Sequence, residues 1–159
     1  MDLKTLKEEQ LAIAKQIPDV LRGRRIVETA DVEGTFTNDA PVILRRKPKN
    51  QKDESTGQWV RATSKDGKYK LFQWVAYIPV MYQNEQCVII TAVPETVNIL
   101  RAGLVEDAVP EIVRGNGPED ENRIEEYTLP EVIEGELRFS KVDKKYANGK
   151  TYPVKVLDA

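Results

Sequence analysis

The sequence of 159 residues contains no histidine and a single cysteine. Without an imidazole, Ser–His and Cys–His nucleophile pairs and His-ligated metals are excluded. Cys87 alone cannot form an internal disulfide framework, and a structural zinc site usually takes four Cys or His ligands. There is no GxxxxGK[ST] loop, GxSxG elbow or GxGxxG turn to hold a nucleotide or present a nucleophile. No apolar run approaches the ~20 residues that cross a bilayer. The start MDLKTLKEEQ lacks the basic, apolar and small-residue parts of a secretory signal, so a cytoplasmic location is expected. Carboxylate, lysine and tyrosine chemistry remain possible, but no motif marks a pocket for them. The expectation is a non-enzymatic binding protein with no cofactor and no metal.

What is present is charge, and it is segregated. The chain is 31% charged yet has a net charge of −2. Residues 41–70 carry net +6, residues 94–136 net −9 and residues 137–159 net +4. Two basic blocks are thus separated by an apolar and an acidic one. At 40% apolar the chain is hydrophobic enough to fold, and its length suits one domain with an added arm.

Residues 2–16 read as a helix, with Leu3, Leu6 and Ile13 near helical spacing and Pro18 after them. A second short turn can run from Pro18 to a stop at Gly23. Residues 1–23 form a helical arm that must dock, on its own domain or on a neighbouring subunit. Residues 24–159 read as the domain proper. Strands are expected over 41–47, 58–65, 68–82, 86–93, 132–144 and 151–157, with Cys87 a buried small hydrophobe. One inserted helix starts at Pro94 and stops at Gly103. The acidic stretch 104–131, with Pro110, Pro118 and Pro130, reads as an irregular insertion.

Two turn dipeptides, Asp66-Gly67 and Asn148-Gly149, predict hairpins. A two-residue loop at Asp66-Gly67 sets Trp59 opposite Trp74, Arg61 opposite Phe72 and Thr63 opposite Lys70. One face then carries Trp59, Arg61, Lys68, Lys70, Phe72 and Trp74. A two-residue loop at Asn148-Gly149 puts Phe139, Tyr152, Val154 and Val156 on a core face, with Arg138, Lys144, Tyr146 and Lys155 on the other. A sheet face joining flat rings to cations suits unpaired nucleic acid, since bases stack on the rings and phosphates meet the cations. The alternative is that the tryptophans are a cross-strand core pair, because a one-residue register change exchanges the faces.

The order of strands and helix suits a mainly β, OB-fold-like barrel of five or six strands. Ile133-Glu134-Gly135-Glu136-Leu137-Arg138, Lys141, Gly149, Tyr152 and Val156 together resemble the last hairpin of bacterial single-stranded DNA-binding proteins. Gln73-Trp74-Val75 resembles the tryptophan-bearing third strand of that family, and Lys52 to Gly57 its loop between strands two and three. The resemblance covers about 45 residues and implies an OB-fold that binds single strands. Val142 stands where the family often has a stacking aromatic, and 104–131 exceeds the family's connection, which suggests a divergent phage or plasmid member.

The expected partner is therefore single-stranded DNA, with RNA as a close variant. Arg61, Lys68, Lys70, Arg138, Lys144 and Lys155 would meet phosphates; Trp59, Phe72 and Trp74 would meet bases, with Tyr146 beside them. Subunits could associate through the N-terminal helix. The alternative function is a protein–protein adaptor or virion component.

Overall fold

A computed structural model describes residues 17–28, 31–115, 120–146 and 149–158. The helix expected over 2–16, and the subunit contact assigned to it, lie outside those residues. The short turn after Pro18 is present as a 3-10 turn, Asp19–Leu21, which buries Leu21. Gly23 ends it at φ 92°, a left-handed conformation that glycine adopts without a Cβ penalty.

The described residues form a mainly β structure with one α-helix. In chain order these are β1 (Arg25–Val27), β2 (Gly34–Asn38), β3 (Ile43–Pro48), β4 (Asn50–Lys52), β5 (Trp59–Arg61), β6 (Phe72–Tyr82) and β7 (Glu85–Thr91). Helix α1 (Pro94–Arg101), with proline in its first turn, precedes β8 (Glu111–Arg114), β9 (Ile124–Thr128), β10 (Glu136–Lys145) and β11 (Thr151–Leu157). Nine strands share one sheet, antiparallel except where β1 runs parallel to β7; β4 and β5 make a separate ribbon.

The apolar run of β6 makes it the spine. Its first half pairs with β3 and its second with β7, while Val80 and Met81 also meet β2. Both faces are buried, as a continuous apolar strand requires. Ala76, Ile78 and Val80 join Phe36, Leu44, Cys87, Ile89 and Phe139 in the main core. Val75 and Tyr77 point the other way, toward Ile17, Leu21, Ile43 and Val88.

Pro79 sits in mid-spine without an N–H to donate. It is tolerated there because the ladder opposite is broken between Asn38 and Ile43. The buried Asn38 side chain fills that break. Its Nδ2 donates to the carbonyls of Ala40 and Pro79, each at 2.7 Å, and its Oδ1 accepts from the Ile133 N–H at 2.7 Å.

The barrel expected from the sequence does not close. At one end of the sheet, the outer edge of β11 meets α1 instead of a strand: the Leu157 N–H donates to the Thr96 hydroxyl, fully buried, at 2.9 Å. The strand count also exceeds five or six, partly because 104–131 is less irregular than expected. It holds β8 and β9, and β9 extends the sheet beside β3.

The second hairpin is displaced by one residue from the expected register. Lys144 opposes Tyr152 and Phe139 opposes Leu157. The Tyr146 N–H donates to the Lys150 carbonyl, so the loop has three residues, closed by Gly149 at φ 81°. Ala147 and Asn148 lie outside the described residues. The shift takes Tyr152, Val154 and Val156 off the Phe139 face and puts Lys155 on it, opposite Lys141.

Candidate nucleic-acid interface

The first hairpin keeps its expected centre but loses its arms. Thr63 faces Lys70 as predicted, and the Leu71 N–H donates to the Ala62 carbonyl. Gly67 takes a positive φ but Asp66 does not, so the turn is not the two-residue type I′ form. Instead the Asp66 carboxylate accepts from the Ser64 hydroxyl and the Lys68 N–H, and these bonds hold its pKa below the usual value. Beyond Ala62 the arms separate around Lys49. The Lys49 N–H donates to the Leu71 carbonyl, and its own carbonyl accepts from the Ala62 N–H. Arg61 and Trp59 therefore continue beside β4, while Phe72 and Trp74 continue beside β3.

Trp59 thus does not face Trp74. It lies opposite Lys52 on the ribbon and is 72% exposed. Trp74 is half-buried against the main core. The two tryptophans do not form a cross-strand pair with each other.

What the fold assembles is a cluster of rings and guanidinium groups on one face of β3, β6 and β9. Register places Arg46 opposite Trp74 and Glu125. The Arg46 guanidinium lies 4.0 Å from the centre of the Phe72 ring and that of Arg61 lies 4.7 Å from it. The Arg101 guanidinium, from the last turn of α1, lies 4.3 Å from the Trp74 ring, and Tyr127 tilts against Trp74 at 5.5 Å. Trp74, Asn98, Arg101, Leu104 and Tyr127 line an open cavity of 480 Å³. Stacked cations of this kind contribute about 0.5–1 kcal/mol each when exposed, so each is weakly held. Burial, and then the Glu125 carboxylate, push the Tyr127 phenol pKa up.

The acidic stretch reaches this face. The Arg61 Nη1 donates to the Glu121 carbonyl, and Lys70 pairs with the Glu121 carboxylate at 2.6 Å. The Arg61 Nε donates to the Leu71 carbonyl at 3.1 Å, and its Nη2 is buried with no hydrogen-bond partner among the described residues. Arg123 and Glu125 pair at 2.5 Å, and the buried Arg45 and Glu126 at 2.5 Å with both side chains nearly excluded from water. Lys68 is exposed on the loop and makes no ion pair among the described residues.

The cations of the second hairpin are not gathered with the first. Lys144 pairs with Glu95 at 2.9 Å and Lys155 with Glu33 at 2.6 Å. The Lys155 ammonium holds the Glu33 carboxyl below its usual pKa, and Lys144 does the same to Glu95. Arg138 is exposed, 3.6 Å from Asp158. Tyr146 packs edge-on against Tyr152 at 5.4 Å, with Lys144 over its ring. Because of the register shift, Lys144 and Lys155 occupy opposite faces of the hairpin.

Arg46, Arg101 and Tyr127 are absent from the residues read off the sequence. Arg46 follows Leu44 at the strand period of two, a signal that pairing β3 with β6 would have exposed.

Comparison with protein-family models, curated proteins and solved structures finds no match to this chain. Among the described residues no helix is long and apolar enough to cross a membrane.

Proposed function

We propose that this chain is a non-enzymatic protein that binds single-stranded DNA with little sequence preference. The observation that carries the reading is Phe72 flanked by Arg46 and Arg61, beside Trp74 under Arg101. Rings of this kind offer stacking surfaces worth ~1–3 kcal/mol per base, and the displaced guanidinium groups are then free for phosphates. Exposed Trp59 on the ribbon and Lys68 on the neighbouring loop extend the track, while Tyr146, Lys144 and Arg138 on the last hairpin offer a separate contact. The likeness of residues 133–156 to the last hairpin of bacterial single-stranded DNA-binding proteins supports the same reading. An incompletely closed OB-like sheet, a cytoplasmic location and a phage or plasmid origin belong to that likeness.

A second reading, a protein–protein adaptor, draws on one observation. Arg61, Lys70, Arg138, Lys144 and Lys155 all have oxygen partners within the chain. The two readings separate in one titration. Fluorescein-labelled oligo-dT at low salt should gain anisotropy and quench tryptophan emission. Affinity should fall steeply with added salt, as phosphate neutralisation releases counterions. Unchanged anisotropy at low salt would reject nucleic-acid binding and leave the adaptor.

A further inference from the structure

Three polar side chains around the cavity beside Trp74, those of Asn98, Arg101 and Glu106, make no hydrogen bond or ion pair among the described residues. Asn98 and Arg101 stand three residues apart on α1 and share its exposed flank, while Val97 and Leu100 face the core. Glu106 comes from the loop that follows the helix. Arg101 and Glu106 border one space of 480 Å³ yet do not pair; the guanidinium lies over the Trp74 ring instead. Elsewhere on this face opposite charges do meet, Lys70 with Glu121 and Arg123 with Glu125. The volume is within the range of small-ligand pockets, about 300–1,000 Å³.

A flat group entering this space meets rings before it meets charge. Trp74 and Tyr127 are tilted by 41° with centres 5.5 Å apart, so they make a corner with an aromatic wall on each side. Unpaired bases are read by stacking on such walls and by hydrogen bonds to their Watson–Crick edge. A carboxylate accepts two N–H bonds side by side. On that edge only guanine offers two adjacent donor groups, N1–H and the N2 amine, with the O6 acceptor beside them. Adenine, cytosine and thymine each offer one donor group there and turn a lone pair toward the carboxylate as well. An amide such as that of Asn98 supplies the donor that O6 needs.

We propose that this cavity is a guanine site, filled by one base of the bound strand. Glu106 accepts from N1–H and the N2 amine, Asn98 donates to O6, and Arg101 leaves the Trp74 ring for the neighbouring phosphate. The inference rests on the single-strand reading and adds one position of preference to an otherwise tolerant track.

Anisotropy titration of the full chain at low salt tests it with three labelled strands: oligo-dT, the same strand with one central deoxyguanosine, and one with deoxyinosine, which lacks the N2 amine. Deoxyguanosine should raise affinity about fivefold over oligo-dT, the low end for a two-bond contact with a base edge. Deoxyinosine should lose most of that gain. E106Q removes a negative charge, which favours every strand, so it is read as the ratio of the deoxyguanosine strand to oligo-dT. That ratio should fall to below about twofold. Equal affinities in the wild type, a deoxyinosine strand as tight as the deoxyguanosine one, or a preference that E106Q keeps would each overturn the guanine site and leave the single-strand reading standing. If no strand binds, that reading fails and guanosine monophosphate decides the cavity. Quenching of tryptophan emission that E106Q abolishes keeps the guanine site and makes its source a free nucleotide, whereas unchanged emission overturns it.

Discussion

Lys70 and Glu121 meet at 2.6 Å, fifty-one residues apart, tying the first hairpin to the acidic stretch. The same glutamate's carbonyl takes the Arg61 guanidinium. The side chains of the ion pair are 46% and 60% exposed, and such a pair is worth ~0–1 kcal/mol. On the proposed reading a carboxylate rests where a phosphate would bind, held weakly enough to be exchanged for one.

Glu121→Gln should tighten oligo-dT binding about threefold at low salt, with the gain shrinking as salt rises. Anisotropy titrations at two ionic strengths measure both effects. An unchanged affinity would mean that Glu121 does not compete for the cations.

Phe72→Leu preserves apolar bulk but removes the ring between Arg46 and Arg61. It should weaken oligo-dT binding about tenfold, the lower part of the stacking range. Circular dichroism melting checks that the fold survives. Trp59→Ala, at an exposed ribbon position, should leave the melting midpoint unchanged while removing part of the emission signal.

Asn38→Ala should lower the unfolding free energy by roughly 2–4 kcal/mol, measured by urea titration. The side chain joins three backbone groups, one local at Ala40 and two in distant segments at Pro79 and Ile133, and alanine leaves those groups without it. A loss near zero would show that water replaces the amide.

Acidification should act on Glu33 and Glu95. Lysine hydrogen bonds hold both below the usual carboxyl value of 4.5. A depressed carboxyl pKa contributes stability that is present above the unfolded value and lost as pH falls through the folded one. The melting midpoint should therefore stay level from pH 7 to about 5 and decline below about 4.5. Protonation of Glu95 also frees Lys144, so on the proposed reading oligo-dT affinity should rise over the same acid range. A midpoint that already falls between pH 7 and 5 would point to other groups.

Features with local causes were legible in the sequence. Pro94 opens the helix, Gly23 ends the first turn, Cys87 is buried, and the runs from Phe72 and Thr151 are strands. Register was not, because it depends on competition between partners. Lys49 takes the backbone groups that would have continued the first hairpin, and a three-residue loop moves the second by one. The strand β9 was hidden because Glu125 and Glu126 interrupt its apolar pattern; Arg123 and Arg45 neutralise them, the latter eighty-one residues away. The turn joining β6 to β7 was hidden too. Gln83 and Asn84 both take positive φ, a type I′ geometry written without glycine. Within the site, Phe72, Trp74 and Arg61 were legible, whereas Arg46, Arg101 and Tyr127 needed the tertiary register.

The peptide of Lys49 has a consequence for time as well as shape. Its N–H and C=O are bonded to Leu71 and Ala62, the two arms that part there. Detaching the Trp59 ribbon breaks these bonds while the spine can stay paired, so the Lys49 and Ala62 amides form a clock for that local opening. Their hydrogen-exchange rates, compared with those of Ile78 or Val80, measure how often the ribbon swings free of the body without the molecule unfolding.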